Sequence, residues 1–194
     1  MASVKRLCVY CGSSSQVDAV YREAARALGA LIAAAGIELV YGGGRVGLMG
    51  IVADAVLQGS GRVTGIIPAH LHDAEIGHHG VSELIVVGNM HERKRLMFER
   101  SDAFVVLPGG LGTLDETFEI VTWKQLGLHD KPIVIVDVEG YWQKLLALID
   151  QIVDEGFADP RVLGHFQTVE RVEDVLPALS AAPAPALAPE PRLV

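Results

Sequence analysis

Short, continuous apolar runs alternate along this chain with longer segments whose apolar positions recur every three or four residues. The runs predict strands buried on both faces, and the periodic segments predict amphipathic helices. Predicted strands cover residues 4–10, 37–41, 62–67, 84–87, 103–107, 133–138 and 167–169. Predicted helices cover residues 18–35, 48–58, 90–100, 114–126, 141–155 and 172–179. This alternation predicts an α/β fold, a Rossmann-like doubly wound parallel sheet with helices on both faces.

The 194 residues suffice for one such domain. We expect the domain to span residues 1–180, with an irregular, histidine-rich surface loop at 69–80. Residues 181–194 consist mainly of Ala and Pro, a composition that cannot build a core, so we expect a disordered tail.

The net charge and the distribution of apolar residues limit the kinds of molecule that the protein is expected to bind. The formal net charge is −8, so electrostatics do not favour binding to nucleic acid or to an anionic membrane surface. The longest apolar stretch, residues 27–37, contains two glycines and is too short to cross a bilayer. Residues 1–6 lead into the first predicted strand without a signal-peptide segment. We therefore expect a cytoplasmic protein.

Cys8 and Cys11 form a C-x-x-C pair at the end of the first predicted strand. Side chains at this spacing on a strand point to opposite faces, and no second pair completes a zinc site. We therefore expect one buried core thiol and one loop thiol. The seven histidines show no ligand spacing, so no metal site is predicted.

Parallel sheets bind ligands at the carboxyl ends of their strands. The loops at those ends are residues 11–16, 42–47, 88–90 and 108–113, and three of them are rich in Gly or Ser. Ser15 is interpreted as a helix cap, whereas residues 12–14 could contact a phosphate or a base. Residues 42–47 fit G-x-G-x-x-G in the second turn, where an NAD fingerprint is not expected. They form either a tight packing turn or a backbone surface for a flat ligand or sugar.

Residues 108–116, Pro-Gly-Gly-Leu-Gly-Thr-Leu-Asp-Glu, combine two unlike features. The glycines lie between a strand and a helix, where free backbone N–H groups and the helix dipole favour a phosphate. Phosphate binding alone gives no reason for the carboxylate of Glu116. Thr113 and Glu116 also match a capping box, so the pattern leaves both capping and catalysis open for Glu116.

His-Glu-Arg-Lys-Arg at residues 91–95 opens the predicted helix 90–100. One interpretation is a solvated charged turn. However, cations at a helix N-terminus oppose the dipole, and this helix start is expected at the same sheet edge as residues 108–113, one strand away. Arg93 or Lys94 could therefore reach an anion held there, and Arg can bind it through two hydrogen bonds.

Three motifs together resemble the Lonely Guy family of cytokinin riboside 5′-monophosphate phosphoribohydrolases. They are Gly42-Gly43-Gly44-x-x-Gly47-x-Met49-Gly50, Met90-x-x-Arg93-Lys94 and Pro108-Gly109-Gly110-x-Gly112-Thr113-x-x-Glu116. The resemblance spans residues 5–179. It implies hydrolysis of the N-glycosidic bond of purine nucleoside 5′-monophosphates, N6-modified ones included, to free base and ribose 5-phosphate without a cofactor.

The resemblance makes Arg93 and Glu116 the catalytic pair and places the phosphate on the backbone of residues 109–113. It also implies a homodimer, with the helices around residues 122–124 and Met90 as contact surfaces. With the loops above, the expected substrate-binding residues are Ser14, Gly43, Gly44, Glu75, Met90, Lys94, Gly109, Gly110, Leu111, Gly112, Thr113, Leu114, Asp115 and Thr122.

The implied chemistry fits these residue types. Cleaving a glycosidic bond builds positive charge on the ribose, and a nearby carboxylate such as Glu116 can stabilise that charge and orient a water. Three roles stay open for Arg93: positioning Glu116, holding the phosphate or assisting the leaving base. The alternative function is a non-catalytic nucleotide or cofactor carrier, which needs neither residue.

Similar sequences have also been described as lysine decarboxylases. That activity requires a lysine that forms a Schiff base with pyridoxal phosphate. Of the five lysines, only Lys94 is expected near the site, in a charged turn. We therefore expect no cofactor.

Overall fold

The structure is a computed structural model that describes residues 4–72 and 77–182. Glu75, expected to bind substrate, lies outside the described residues, as do part of the predicted surface loop and all but the first two residues of the predicted tail.

Seven parallel strands form one sheet. They are β1 (Arg6–Tyr10), β2 (Glu38–Tyr41), β3 (Val63–Pro68), β4 (Glu83–Val87), β5 (Ala103–Val106), β6 (Ile133–Val136) and β7 (Gln167–Val169). Their order is β4-β3-β2-β1-β5-β6-β7. Strands β2 to β4 therefore lie on one side of β1, and strands β5 to β7 lie on its other side. The crevice between β1 and β5 is the switch point at which such sheets bind ligands.

Helices cover both faces of the sheet, as predicted. They are α1 (Ala19–Ala34), α2 (Gly47–Gln58), α3 (Ala69–Leu71), α4 (Met90–Glu99), α5 (Leu111–Gln125), α6 (Gln143–Asp154) and α7 (Val175–Ala181). One core cluster packs α1, α2 and α7 against the sheet, and the other packs α4, α5 and α6 against the opposite face. Within the described ranges, every helix is too short or too polar to cross a membrane.

The two cysteines lie in different core clusters, Cys8 on the α4–α6 side and Cys11 on the α1–α2 side. The prediction of opposite faces is therefore confirmed. Cys8 is the buried core thiol and Cys11, the first residue after β1, is the loop thiol, as predicted, but Cys11 is buried as well.

Helix α5 begins three residues before its predicted start at residue 114, at Leu111, after an extended Gly110. Thr113 is consequently inside the first turn and cannot be the residue that precedes the helix. No side chain caps this helix, and the carboxylate of Glu116 is bonded to Arg93 instead. The capping-box interpretation is therefore wrong.

Helix α1 begins after Asp18, also without a side-chain cap. The predicted capping role of Ser15 is therefore wrong. Its neighbour Ser14 instead accepts a hydrogen bond from the backbone N–H of Gln16, with an N–O distance of 3.1 Å.

Candidate active site

Three strand-end loops meet at the switch point. The Gly12 N–H donates to the Pro108 carbonyl at 3.0 Å, and the Gly12 carbonyl accepts from the Leu48 N–H at 3.0 Å. Gly12 and Gly109 pack so closely that a Cβ on Gly12 would lie 3.3 Å from the Gly109 Cα. These contacts join the loops after β1, β2 and β5 into one surface.

The N-terminus of α5 presents backbone donors to this surface. Among residues 4–72 and 77–182, no acceptor of the protein bonds to the N–H groups of Gly110, Leu111, Gly112 or Thr113. They are the orphan donors of a helix start, next to the positive end of its dipole. This arrangement suits an anion such as a phosphate.

Gly109 packs against this helix start in a way that excludes any side chain. A Cβ at Gly109 would lie 2.1 Å from the Thr113 Oγ1 and 2.9 Å from the Gly12 backbone nitrogen. The glycine therefore allows the loop to fold back onto the first turn of α5.

Arg93 and Glu116 form a buried ion pair beside the α5 N-terminus. The Arg93 Nη1 donates to the Glu116 Oε1 at 2.7 Å, and about a tenth of each side chain is exposed. The Arg93 Nε also donates to the Ile66 carbonyl at 3.2 Å. Arg93 is therefore a fixed, desolvated guanidinium, and the solvated-turn interpretation is wrong for it.

Gly42 makes room for this guanidinium. A Cβ at Gly42 would lie 2.0 Å from the Arg93 Nη2. Gly42 belongs to the predicted glycine motif but was not among the expected substrate-binding residues, because its proximity to Arg93 depends on tertiary packing. Gly43, with φ +75°, instead lies against Ile66 and Ile67 of β3, as the tight-packing interpretation expects.

The route by which Arg93 reaches Glu116 differs from the expected one. In the sheet, β3, β2 and β1 all lie between β4 and β5, so the expectation of a neighbouring strand is wrong. Helix α4 follows the edge strand β4 and packs back over β3. This return brings Arg93 to the carbonyl of Ile66 and onward to α5.

Burial and the ion pair have opposite effects on the pKa of Glu116. Burial raises the pKa of the Glu116 carboxyl above its ordinary value, while the charge and hydrogen bond of Arg93 oppose that rise. Arg93 therefore limits the rise in the pKa of Glu116 and favours the ionised carboxylate.

Lys94 points to a different set of partners. Its Nζ lies 3.1 Å from the Asp115 Oδ2 and 3.2 Å from the Glu119 Oε1. Burial acts to lower the pKa of Lys94, but these hydrogen bonds and charges outweigh it and raise the pKa. Lys94 and Asp115, both expected to bind substrate, thus bind each other.

The other expected residues are distributed around this centre. Met90 and Leu111 are exposed at the starts of α4 and α5, and Leu114 packs partly into the core. Thr122 is exposed farther along α5, more than a turn beyond Glu116. Gly44 forms an isolated bridge with Gly77.

Ser14 lines a separate cavity of about 670 Å³. The cavity lies between α1, α2 and the segment before β4, and its lining includes Gly47, Asp54 and His78 but neither Arg93 nor Glu116. His78 closes one side by pairing its Nε2 with the Asp54 Oδ1 at 2.9 Å. In the described residues, no group of three or more His, Cys, Asp or Glu is arranged to hold a metal.

The sequence interpretation also missed Tyr141. Its Oη donates to the Gly109 carbonyl at 2.7 Å. The loop after β6 ends at the same sheet edge as the other loops, and this position is the feature that could have identified it.

Comparison with known proteins shows the family to which this chain is similar. The model of a family described as "possible lysine decarboxylase" matches residues 49–179. A cytokinin riboside 5′-monophosphate phosphoribohydrolase of Arabidopsis thaliana is 45% identical over 180 residues, covering 89% of this chain and 84% of the relative. A probable enzyme of the same name from Oryza sativa subsp. japonica is 47% identical over 175 residues, covering 89% of this chain and 83% of the relative.

Solved structures share the fold at lower identity. A molybdenum cofactor binding protein from Rippkaea orientalis has a TM-score of 0.71 at 21% identity, covering 93% of this chain and 98% of that one. The molybdenum cofactor carrier protein of Chlamydomonas reinhardtii has a TM-score of 0.70 at 21% identity, covering 92% of this chain and 97% of that one. These likenesses establish the fold, while the relatives with higher identity establish that the chain belongs to the Lonely Guy family.

Proposed function

We propose that the chain hydrolyses the N-glycosidic bond of purine nucleoside 5′-monophosphates, including N6-modified ones, to free base and ribose 5-phosphate. The observation that carries this proposal is the buried Arg93–Glu116 pair next to the N–H groups at the start of α5, which have no acceptor among the described residues. A phosphate bound there would bring the ribose of a nucleotide toward Glu116, which lies in the second turn of the same helix.

Glu116 is proposed as the catalytic carboxylate. Loss of the base leaves positive charge on the ribose, and an ionised carboxylate in a site of low dielectric stabilises such charge more strongly than it would in water. The lone pairs of Glu116 that do not accept from Arg93 can also accept a hydrogen bond from the attacking water and orient it.

Arg93 is proposed to position Glu116. Hydrogen bonds to Glu116 and to the Ile66 carbonyl hold the guanidinium in one place, and the absence of a side chain at Gly42 leaves room for it. The ion pair counteracts the effect of burial on the Glu116 pKa and so favours the ionised carboxylate that the reaction requires.

A nucleotide or cofactor carrier is the alternative function. The solved structures named above favour it only at the level of the fold, because fold does not imply function. A carrier has no evident use for a buried ion pair, whose desolvation is unfavourable unless the pair has a specific role. The relatives that are named as phosphoribohydrolases are also the more similar in sequence.

The geometry of Lys94 disfavours lysine decarboxylation. A Schiff base forms from a neutral amine, whereas Lys94 lies between the carboxylates of Asp115 and Glu119, which hold it in the charged form.

We expect AMP to be cleaved with a kcat/KM at least about a hundredfold above that of adenosine. The phosphate is remote from the bond that breaks, but the energy of binding it can align the sugar and so lower the energy of the transition state. Steady-state assays of free adenine from both substrates measure this ratio. Equal kcat/KM values would contradict a role for the α5 N-terminus as the phosphate anchor.

We also propose a homodimer that uses the surfaces of α4 and α5. Met90, Leu111 and Phe118 are apolar and exposed on these helices, and Leu126 is exposed just after the end of α5. An interface between two chains would bury this apolar surface. Sedimentation of the full chain should show a particle of two chains. A single-chain particle at micromolar concentration would contradict the proposal.

A further inference from the structure

The carbonyl groups of three consecutive residues in the loop after β5 are each held by a different donor. The Pro108 carbonyl accepts from the Gly12 N–H at 3.0 Å, and the Gly110 carbonyl accepts from the Leu114 N–H at 3.0 Å. Between them, the Gly109 carbonyl accepts from the Tyr141 Oη at 2.7 Å. The middle bond is the one that a side chain supplies.

That bond sets the direction of a backbone donor. In a planar trans peptide, the carbonyl of one residue and the N–H of the next point in opposite directions. Holding the Gly109 carbonyl on Tyr141 therefore turns the Gly110 N–H to the other side of the peptide. The Gly110 N–H is one of the four donors at the start of α5 for which the described residues provide no acceptor. Two adjacent glycines leave this peptide free to rotate if nothing holds it.

Internal hydrogen bonds hold the segment that carries Tyr141, residues 137–143. Asp137 is buried, and its carboxylate accepts from the Trp142 N–H at 2.6 Å and from the Gln143 side-chain amide. Glu139 and Gly140 have φ values of +53° and +71°. A non-glycine residue in this region is unfavourable by itself and persists where its surroundings hold it.

Aromatic packing fixes the Tyr141 ring. Its centroid lies 5.5 Å from that of Tyr21 and 4.8 Å from that of Trp142, both in edge-to-face geometry. The hydroxyl is therefore presented to the Gly109 carbonyl from a fixed position, although the side chain is partly exposed to solvent.

We propose that Tyr141 is a positioning residue of the phosphate site. It orients the Gly109–Gly110 peptide so that the Gly110 N–H faces the anion. The inference rests on the proposed function for the identity of that anion as the 5′-phosphate of the substrate. It goes beyond that function by assigning a role to a residue of the loop after β6.

The test compares Tyr141→Phe with Tyr21→Phe. Both changes remove one hydroxyl from the same aromatic pair, but among the described residues the Tyr21 hydroxyl has no hydrogen-bond partner. Calorimetric titration with inorganic phosphate and with AMP should show about five- to tenfold weaker binding for Tyr141→Phe, the loss expected for one hydrogen bond. Tyr21→Phe should bind both as the wild type does.

Two readouts separate positioning from general loss of structure. In Tyr141→Phe the kcat/KM for AMP should fall by the same factor as the affinity for phosphate, while the kcat/KM for adenosine stays unchanged. A merely structural role would lower both kcat/KM values and the melting temperature together, and that result would overturn the inference. Unchanged phosphate affinity in Tyr141→Phe would also overturn it. The phosphate titration needs no turnover, so a wild type that binds phosphate without cleaving AMP would contradict the proposed function alone.

Discussion

Replacing Glu116 by Gln is expected to lower kcat for AMP about a thousandfold, within the range that acid–base groups contribute. The amide has nearly the same shape and can still accept from the Arg93 Nη1, which lies 2.7 Å from the Glu116 Oε1. It carries no negative charge, so it cannot stabilise the developing cation on the ribose. The KM for AMP should stay within about threefold, because an interaction made only in the transition state affects kcat and not ground-state binding.

The matched control for this variant is Glu99→Gln. Glu99 is also a carboxylate paired with an arginine, Arg95, at 3.3 Å, but the pair is exposed on α4, where such pairs contribute little. Thermal unfolding of both variants shows how far the loss of charge beside the buried Arg93 destabilises the fold. Folded Glu116→Gln protein with wild-type kcat would contradict the assignment of Glu116 as the catalytic carboxylate.

Replacing Gly109 by Ala is expected to lower the kcat/KM for AMP about a hundredfold, the effect of displacing a bound substrate by about 1 Å. The new Cβ would lie 2.1 Å from the Thr113 Oγ1 and 2.9 Å from the Gly12 backbone nitrogen. The Thr113 Oγ1 can rotate away, but the new Cβ would also lie 2.7 Å from the Thr113 Cβ. Neither that atom nor the Gly12 backbone can move without disturbing its own element. The loop after β5 must therefore shift away from the α5 N-terminus, which misplaces the phosphate.

Gly164→Ala is the control for this change, because a Cβ there meets nothing within 4 Å. It lies in the turn Pro160–Gly164, outside the strand-end loops. Its kinetics should match those of the wild type. Wild-type kcat/KM for AMP in a folded Gly109→Ala variant would show that the loop does not anchor the phosphate.

The fold was largely predictable because apolar runs and helical periodicity reflect burial directly. The central strands β1, β5 and β6 are apolar throughout their buried length, and the helices α1 and α6 each bury an apolar face. The start of α5 was not predictable in the same way. Gly110 and Gly112 argue against a helix by propensity, yet Gly110 precedes the helix in extended conformation and Gly112 lies in its first turn.

The candidate site was predictable only in part. Sequence order placed Arg93 and Glu116 on helices that begin at one sheet edge, but their contact depends on α4 returning over β3. Tyr141 lies far from the glycine-rich motifs in sequence, and it bonds to Gly109 directly after two residues with positive φ, Glu139 and Gly140. Such contacts arise from tertiary packing and have no periodic pattern in the sequence.

The most direct test of the central claim is the identity of the products formed from AMP and from an N6-prenylated AMP. Chromatography of the base and an enzymatic assay of the sugar phosphate should show free base and ribose 5-phosphate in equal amounts, with repeated turnover. Protein that binds these nucleotides and releases no base would contradict the claim and support a carrier. Release of inorganic phosphate with intact nucleoside would contradict it as well, because the bond broken would then be the phosphate ester.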